Sequence, residues 1–200
     1  MKKMFFIAAL AVFGMTSADA QVSFGVKAGP QLTNFVGSDV EESDMKVGFN
    51  VGGYANIRFS EQLAFQPELL FSLQGDKYEE TILGQDVKYK SNFSYINVPL
   101  MMKWYAYEGL NFEFGPQVGF NVGAKGKVEG GDSSFEGDID DVSGVNFGLN
   151  IGAGYELPMG LNFGIRYGRG LNSVYTLEDT NGDKFKIYNS TIALGVGYTF

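Results

Sequence analysis

Seven charged residues fall where period-two alternation turns them to the polar face of a β-strand. Lys27, Arg58, Lys103 and Arg166 stand against Glu68, Glu113 and Glu156. Charges enclosed together could pass a proton or an ion, or could lock into a salt-bridged plug. Buried charge is tolerated only when paired and hydrogen-bonded, which favours the plug. Other chemistry is largely closed. The sequence has no His and no Cys, so Ser–His and Cys–His nucleophiles and thiolate metal sites cannot be built. The inward Glu residues have basic partners at hand, which leaves no free carboxylic acid for proton donation. The GxG pieces at Gly152–Gly154 and Gly195–Gly197 open no helix and are not phosphate loops. Asp179-Thr180-Asn181-Gly182-Asp183 has part of a calcium-loop pattern but lacks its distal Glu. Asn-Gly is also a strong hairpin signal, so this segment reads as a hairpin tip. We therefore expect no enzyme activity, no cofactor and no metal.

The elements that carry these charges are two-faced strands. From Val47 to Phe59 one set is Val47, Phe49, Val51, Gly53, Ala55, Ile57 and Phe59; the other is Gly48, Asn50, Gly52, Tyr54, Asn56 and Arg58. The pattern recurs eight times. Strand one covers about 22–31, strand two 47–59 and strand three runs from Leu63 through Leu73. Strand four covers about 93–104, strand five begins at Leu110, strand six at Val145 and strand seven at Leu161, and strand eight ends at Phe200. One face is apolar throughout. The other is Gly, Asn, Gln and charge, with thirteen Gly placed inward by parity, Gly123 and Gly152 among them. This predicts an all-β, eight-stranded antiparallel up-and-down transmembrane β-barrel, apolar outside and polar inside. A soluble lipocalin-like binding barrel would need the reverse, an oily cup within a polar wall. The mean hydropathy of −0.05 fits a membrane barrel, because only alternate residues face lipid.

Short turns follow strands two, four and six, and long segments (33–45, 75–91, 125–143 and 173–184) follow the others. Small outer-membrane barrels place short turns in the periplasm and long loops outside. The long segments hold 17 acidic residues, and the Gly- and Ser-containing stretch 125–143 reads as a solvated, mobile loop. Phe59, Trp104, Phe112, Tyr155, Phe163, Tyr198 and Phe200 all lie beside the short turns or the C-terminus, as a periplasmic-side aromatic girdle would. Pro67, Pro99 and Pro116 lie inside strands, where β-bulges could absorb them.

Lys2 and Lys3, the apolar run Met4–Met15 and Ala18-Asp19-Ala20 predict a cleavable signal peptide over 1–20, leaving 21–200 as the barrel domain. The whole chain carries 15 basic and 23 acidic residues, which excludes nucleic acid as a partner. The expected location is the bacterial cell outer membrane, with outer-membrane lipid as the principal partner and a monomeric state.

Five segments together resemble the PorT-like outer-membrane β-barrel family: GVKAGPQLTNF (25–35), YINVPLMMKW (95–104), FGPQVGFNVGAK (114–125), FGLNIGAGYEL (147–157) and GLNFGIRYGRGLNSV (160–174). The resemblance implies an outer-membrane location and, through the namesake members, a link to an outer-membrane protein secretion system. Val196, Tyr198 and Phe200 resemble the C-terminal signal read by the barrel-assembly machinery during insertion. The function expected is a closed barrel with a structural or surface-interaction role and acidic extracellular loops. An accessory subunit of a secretion complex with an envelope protein partner is the alternative, and a narrow pore is a further one.

Overall fold

The computed structural model describes residues 21–40, 43–82, 85–130, 133–176 and 185–200. The expected signal peptide and the Asp179–Asp183 tip lie outside them. Nine strands follow in order: β1 (Gln21–Val36), β2 (Asp44–Arg58), β3 (Leu63–Ile82), β4 (Gln85–Tyr107), β5 (Leu110–Gly130), β6 (Ser133–Asp138), β7 (Val145–Glu156), β8 (Leu161–Gly170) and β9 (Tyr188–Thr199). Eight of them form an antiparallel ring, β1-β2-β3-β4-β5-β7-β8-β9, closed where β1 pairs with β9. β6 stands outside the ring and pairs with β5.

Alternation dictates the wall. Val26, Val51, Phe114, Ile151, Ile165 and Leu194 are all exposed on the outside, while Asn50, Gln66, Glu68, Asn97 and Asn150 are buried within. An apolar surface this continuous is not that of a water-soluble protein. Ring closure pairs the strand edges, which is the condition for crossing hydrocarbon with strands.

Three sequence expectations are corrected. Segments 75–91 and 125–143 are not simply loops. The β3–β4 ladder runs unbroken from Gln74↔Phe93 to Ile82↔Gln85, and β5 continues to Gly130 and folds back on β6. Polar residues on the outward face hid these extensions, because the apolar half of the alternation vanishes above the bilayer. At about 3.3 Å per residue and a tilt of about 40°, the 10 residues of β8 rise about 25 Å and the 23 of β4 about 58 Å. The barrel wall is therefore tall on the β3–β6 side and low on the β7–β9 side.

The strand prolines are not taken up by bulges. Pro67 keeps its register opposite Leu100, Pro99 opposite Gln117 and Pro116 opposite Leu149. Instead the neighbouring ladder lapses locally: β2–β3 has no bridge between Tyr54↔Glu68 and Ile57↔Phe65, and β4–β5 has none between Pro99↔Gln117 and Met102↔Phe114. A missing N–H thus goes with a lapse of two register pairs and no slip. At Gly115, beside Pro116, a side chain would collide with the carbonyl of Leu100.

A genuine shift does occur between Ser94 and Tyr95 on β4, where Gly123 and Asn121 are the successive partners on β5. The extra residue reverses parity, so Gly123 is exposed on the outer face rather than inward.

Candidate functional site in the lumen and at its outer mouth

The lumen charges fall into two groups. Near the short-turn end, Arg58 Nη2 lies 3.3 Å from Glu156 Oε1. Tyr105 joins them: its hydroxyl donates to Glu156 Oε2 at 2.9 Å, its ring lies 4.1 Å beneath the Arg58 guanidinium, and it accepts from Asn56 Nδ2. Deeper in, Glu68 is the hub. Arg166 reaches it with both Nη atoms at 2.8 Å, and Lys27 Nζ approaches at 3.2 Å. Gln66 Nε2 donates to it at 2.7 Å, and Arg166 Nε donates to Glu113 Oε1 at 2.7 Å. The Glu68 side chain is fully enclosed. Charge-assisted, bidentate geometry of this kind is the strong form of the interaction.

Six of the seven sequence-assigned charges are thereby in ion pairs. Lys103 is not. It points to the same lumen, but its Nζ donates to Gln66 Oε1 at 3.3 Å and lies 5.5 Å from the Tyr105 ring centroid. Parity reports which side of the wall a residue occupies, not which partner it reaches across the lumen. Tyr105, Gln66 and Asn56 were missed for the same reason.

At the long-loop end the lumen changes character. Phe35, Phe93, Tyr95 and Val174 form a buried cluster, with Ile139, Val142, Tyr175 and Ile187 packed against it. Phe93 meets Phe35 edge-on at 5.6 Å and Tyr175 at 6.1 Å. Val174 and Tyr175 come from beyond β8, tied down by Val174 N–H to the Ile187 carbonyl and a bridge between Val142 and Tyr175. This apolar cap corrects the expectation of a polar interior along the whole length. Its signal was present in the inward parity of Phe35 and Phe93.

Above the cap the tall wall shows two faces. One row, continuous with the lumen, runs Tyr78, Tyr89, Val128, Phe135 across β3 to β6. Opposite it, continuous with the lipid face, Asp44, Lys77, Lys90, Lys127 and Glu136 form one row across five strands. Three adjacent lysines are held by acids: Lys77 Nζ is 3.9 Å from Asp44 Oδ2, and Lys127 Nζ is 2.6 Å and Lys90 Nζ 2.7 Å from the Glu129 carboxylate. Those hydrogen bonds, from Lys127 first and Lys90 second, pull the Glu129 carboxyl down to about 2 and raise the Lys127 ammonium. Among the described residues no cluster of three or more acidic side chains is arranged to hold a metal ion.

Residues 16–176 match the outer membrane protein beta-barrel domain family. The chain belongs to that family. It is a protein of the bacterial outer membrane, so its short turns face the periplasm and the tall wall faces outward. Solved structures agree on the fold. Ail, the attachment invasion locus protein of Yersinia pestis, superposes with a TM-score of 0.50 at 15% identity, covering 90% of this chain and 99% of Ail. Neisserial surface protein A gives 0.51 at 15% identity, with 90% and 99% covered. No curated protein matches this chain by sequence.

The seven aromatics expected to form a girdle are all exposed and lie beside the short turns or the C-terminus, where Trp104 stacks on Phe112 at 5.9 Å and Tyr198 meets Phe200 at 5.5 Å. Val196 and Tyr198 face outward on β9, and Phe200 N–H donates to the Phe24 carbonyl at 2.8 Å.

Proposed function

We propose that this family member is a closed, non-catalytic, monomeric barrel that works through its exterior wall as a surface-interaction protein. The observation that carries this is the apolar row Tyr78–Tyr89–Val128–Phe135 on a sheet raised above the bilayer, with Phe135 73% exposed. An ordered aromatic row in water is the kind of surface that docks a partner. The lysine row on the opposite face stands over the lipid headgroups, so outer-membrane lipid is the natural neighbour of that side. The acidic extracellular segments supply a solvated rim. Beneath them the salt-bridged polar interior and the apolar cap argue against a narrow pore.

Photo-crosslinkers placed at 89, 128 and 135 in intact cells test the reading. Protein adducts are expected there, and the adduct at 89 should disappear in Phe135→Ser/Val128→Ser while the outer-membrane level holds. Adducts to lipid alone at all three positions would refute it.

The PorT-like segments support a narrower role as accessory subunit of a protein secretion complex. That role requires co-purification with defined envelope partners. The outward Val196, Tyr198 and Phe200 suit reading by the barrel-assembly machinery, and 1–20 suits export as a signal peptide.

A further inference from the structure

The charges of the membrane-spanning lumen do not balance. Lys27, Arg58, Lys103 and Arg166 face only Glu68, Glu113 and Glu156, and every one of those carboxylates is held by Lys27, Arg58 or Arg166. Lys103 has no carboxylate within ion-pair distance among the described residues. It is 7% exposed, carries three N–H donors, and among the described residues has one hydrogen bond, to Gln66. A cation enclosed this far from water needs an opposing charge or a full set of acceptors.

Beside it lies space for one. Lys103 borders a polar cavity of about 70 Å³ whose wall also carries Lys27, Arg166, Asn97 and Gln117. One water needs roughly 10–15 Å³ of such space, so the cavity holds several water-sized occupants but no bulky organic acid. The carboxylate on the same wall next to Lys103, Glu113, is engaged by Arg166 Nε at 2.7 Å. The aromatic cap lies on the long-loop side of this cavity and the Arg58–Glu156–Tyr105 group on its short-turn side.

We infer that this cavity is a binding site for one small monovalent anion of halide size, held by the Lys103 ammonium with amide N–H groups around it. The surplus is one positive charge, which sets the valence; the volume sets the size. The bound ion completes the plug and belongs to the folded barrel rather than to a transport path.

The test uses the refolded full-length barrel. Crystals grown in sodium bromide are expected to show an anomalous peak within hydrogen-bond reach of Lys103 Nζ. In detergent, thermal unfolding at equal ionic strength should come at higher temperature in chloride or bromide than in gluconate, and Lys103→Met should abolish that difference. A cavity filled with water only, together with equal unfolding temperatures in the three salts, overturns the inference. A bromide peak without any anion dependence in solution marks an adventitious ion only and overturns it as well. If Lys103→Met does not refold, the wild-type crystals and the anion series decide the question without it.

Discussion

Glu68→Gln isolates the hub of the lumen. The substitution keeps the shape of the side chain and deletes the charge that both Lys27 and Arg166 address. Arg166 retains Glu113 at 2.7 Å, but Lys27 is left with no carboxylate among the described residues and only 16% of its side chain exposed. Breaking a buried pair by removing one partner costs about 3–5 kcal/mol, most of it the uncompensated charge left behind. Removing that charge too should recover stability. We therefore expect Glu68→Gln alone to lose about 3–5 kcal/mol, and Glu68→Gln/Lys27→Met to lose less than the single substitution despite carrying two changes. The coupling between neighbours that share a network is expected at roughly 1–3 kcal/mol. Urea unfolding of barrels refolded into lipid vesicles, followed by Trp104 fluorescence, measures Glu68→Gln, Lys27→Met and the double variant. A loss below about 1 kcal/mol for the single variant, or strict additivity in the double one, would show that the hub is not an energetic unit.

Three further outcomes are expected. Deleting Phe200 removes the ring that meets Tyr198 and the N–H that reaches Phe24, and should lower outer-membrane yield; unchanged insertion in a membrane-fraction assay counts against an assembly role. Glu129, held near 2 by Lys127 and Lys90, sits below the ordinary carboxylate range, so its pairing supports the tall wall above about pH 4.3 and is lost as pH falls toward 2. Carbon-detected NMR titration should find that low midpoint, rising toward the ordinary value in Lys90→Met. Gly115→Ala forces a side chain against the Leu100 carbonyl, and should reduce refolding yield far more than Gly123→Ala, whose site is open; equal yields would contradict the inward and outward assignments.

The ring itself was legible because lipid and lumen impose opposite polarity on alternate residues, as in Val47–Phe59. Legibility ended where those two media end. Above the bilayer both faces of β3 to β6 meet water or each other, and Lys77, Lys90 and Lys127 replace the apolar residues that mark a strand. The inward charges were legible one by one; their pairing was not, since Glu68 and Arg166 are 98 positions apart and meet only through ring closure. The solitary state of Lys103 follows from the same geometry, and only a count of charges could have hinted at it. The Gly123 reversal was hidden because a bulge leaves no residue-type signature in this stretch.

The unequal height of the wall gives the molecule a front and a back in the plane of the membrane. The β3–β6 flank stands as a parapet, because its strands continue well past the ends of β7 and β8. Its aromatic row looks back over the barrel's own mouth, so whatever that row meets is met directly above the lumen.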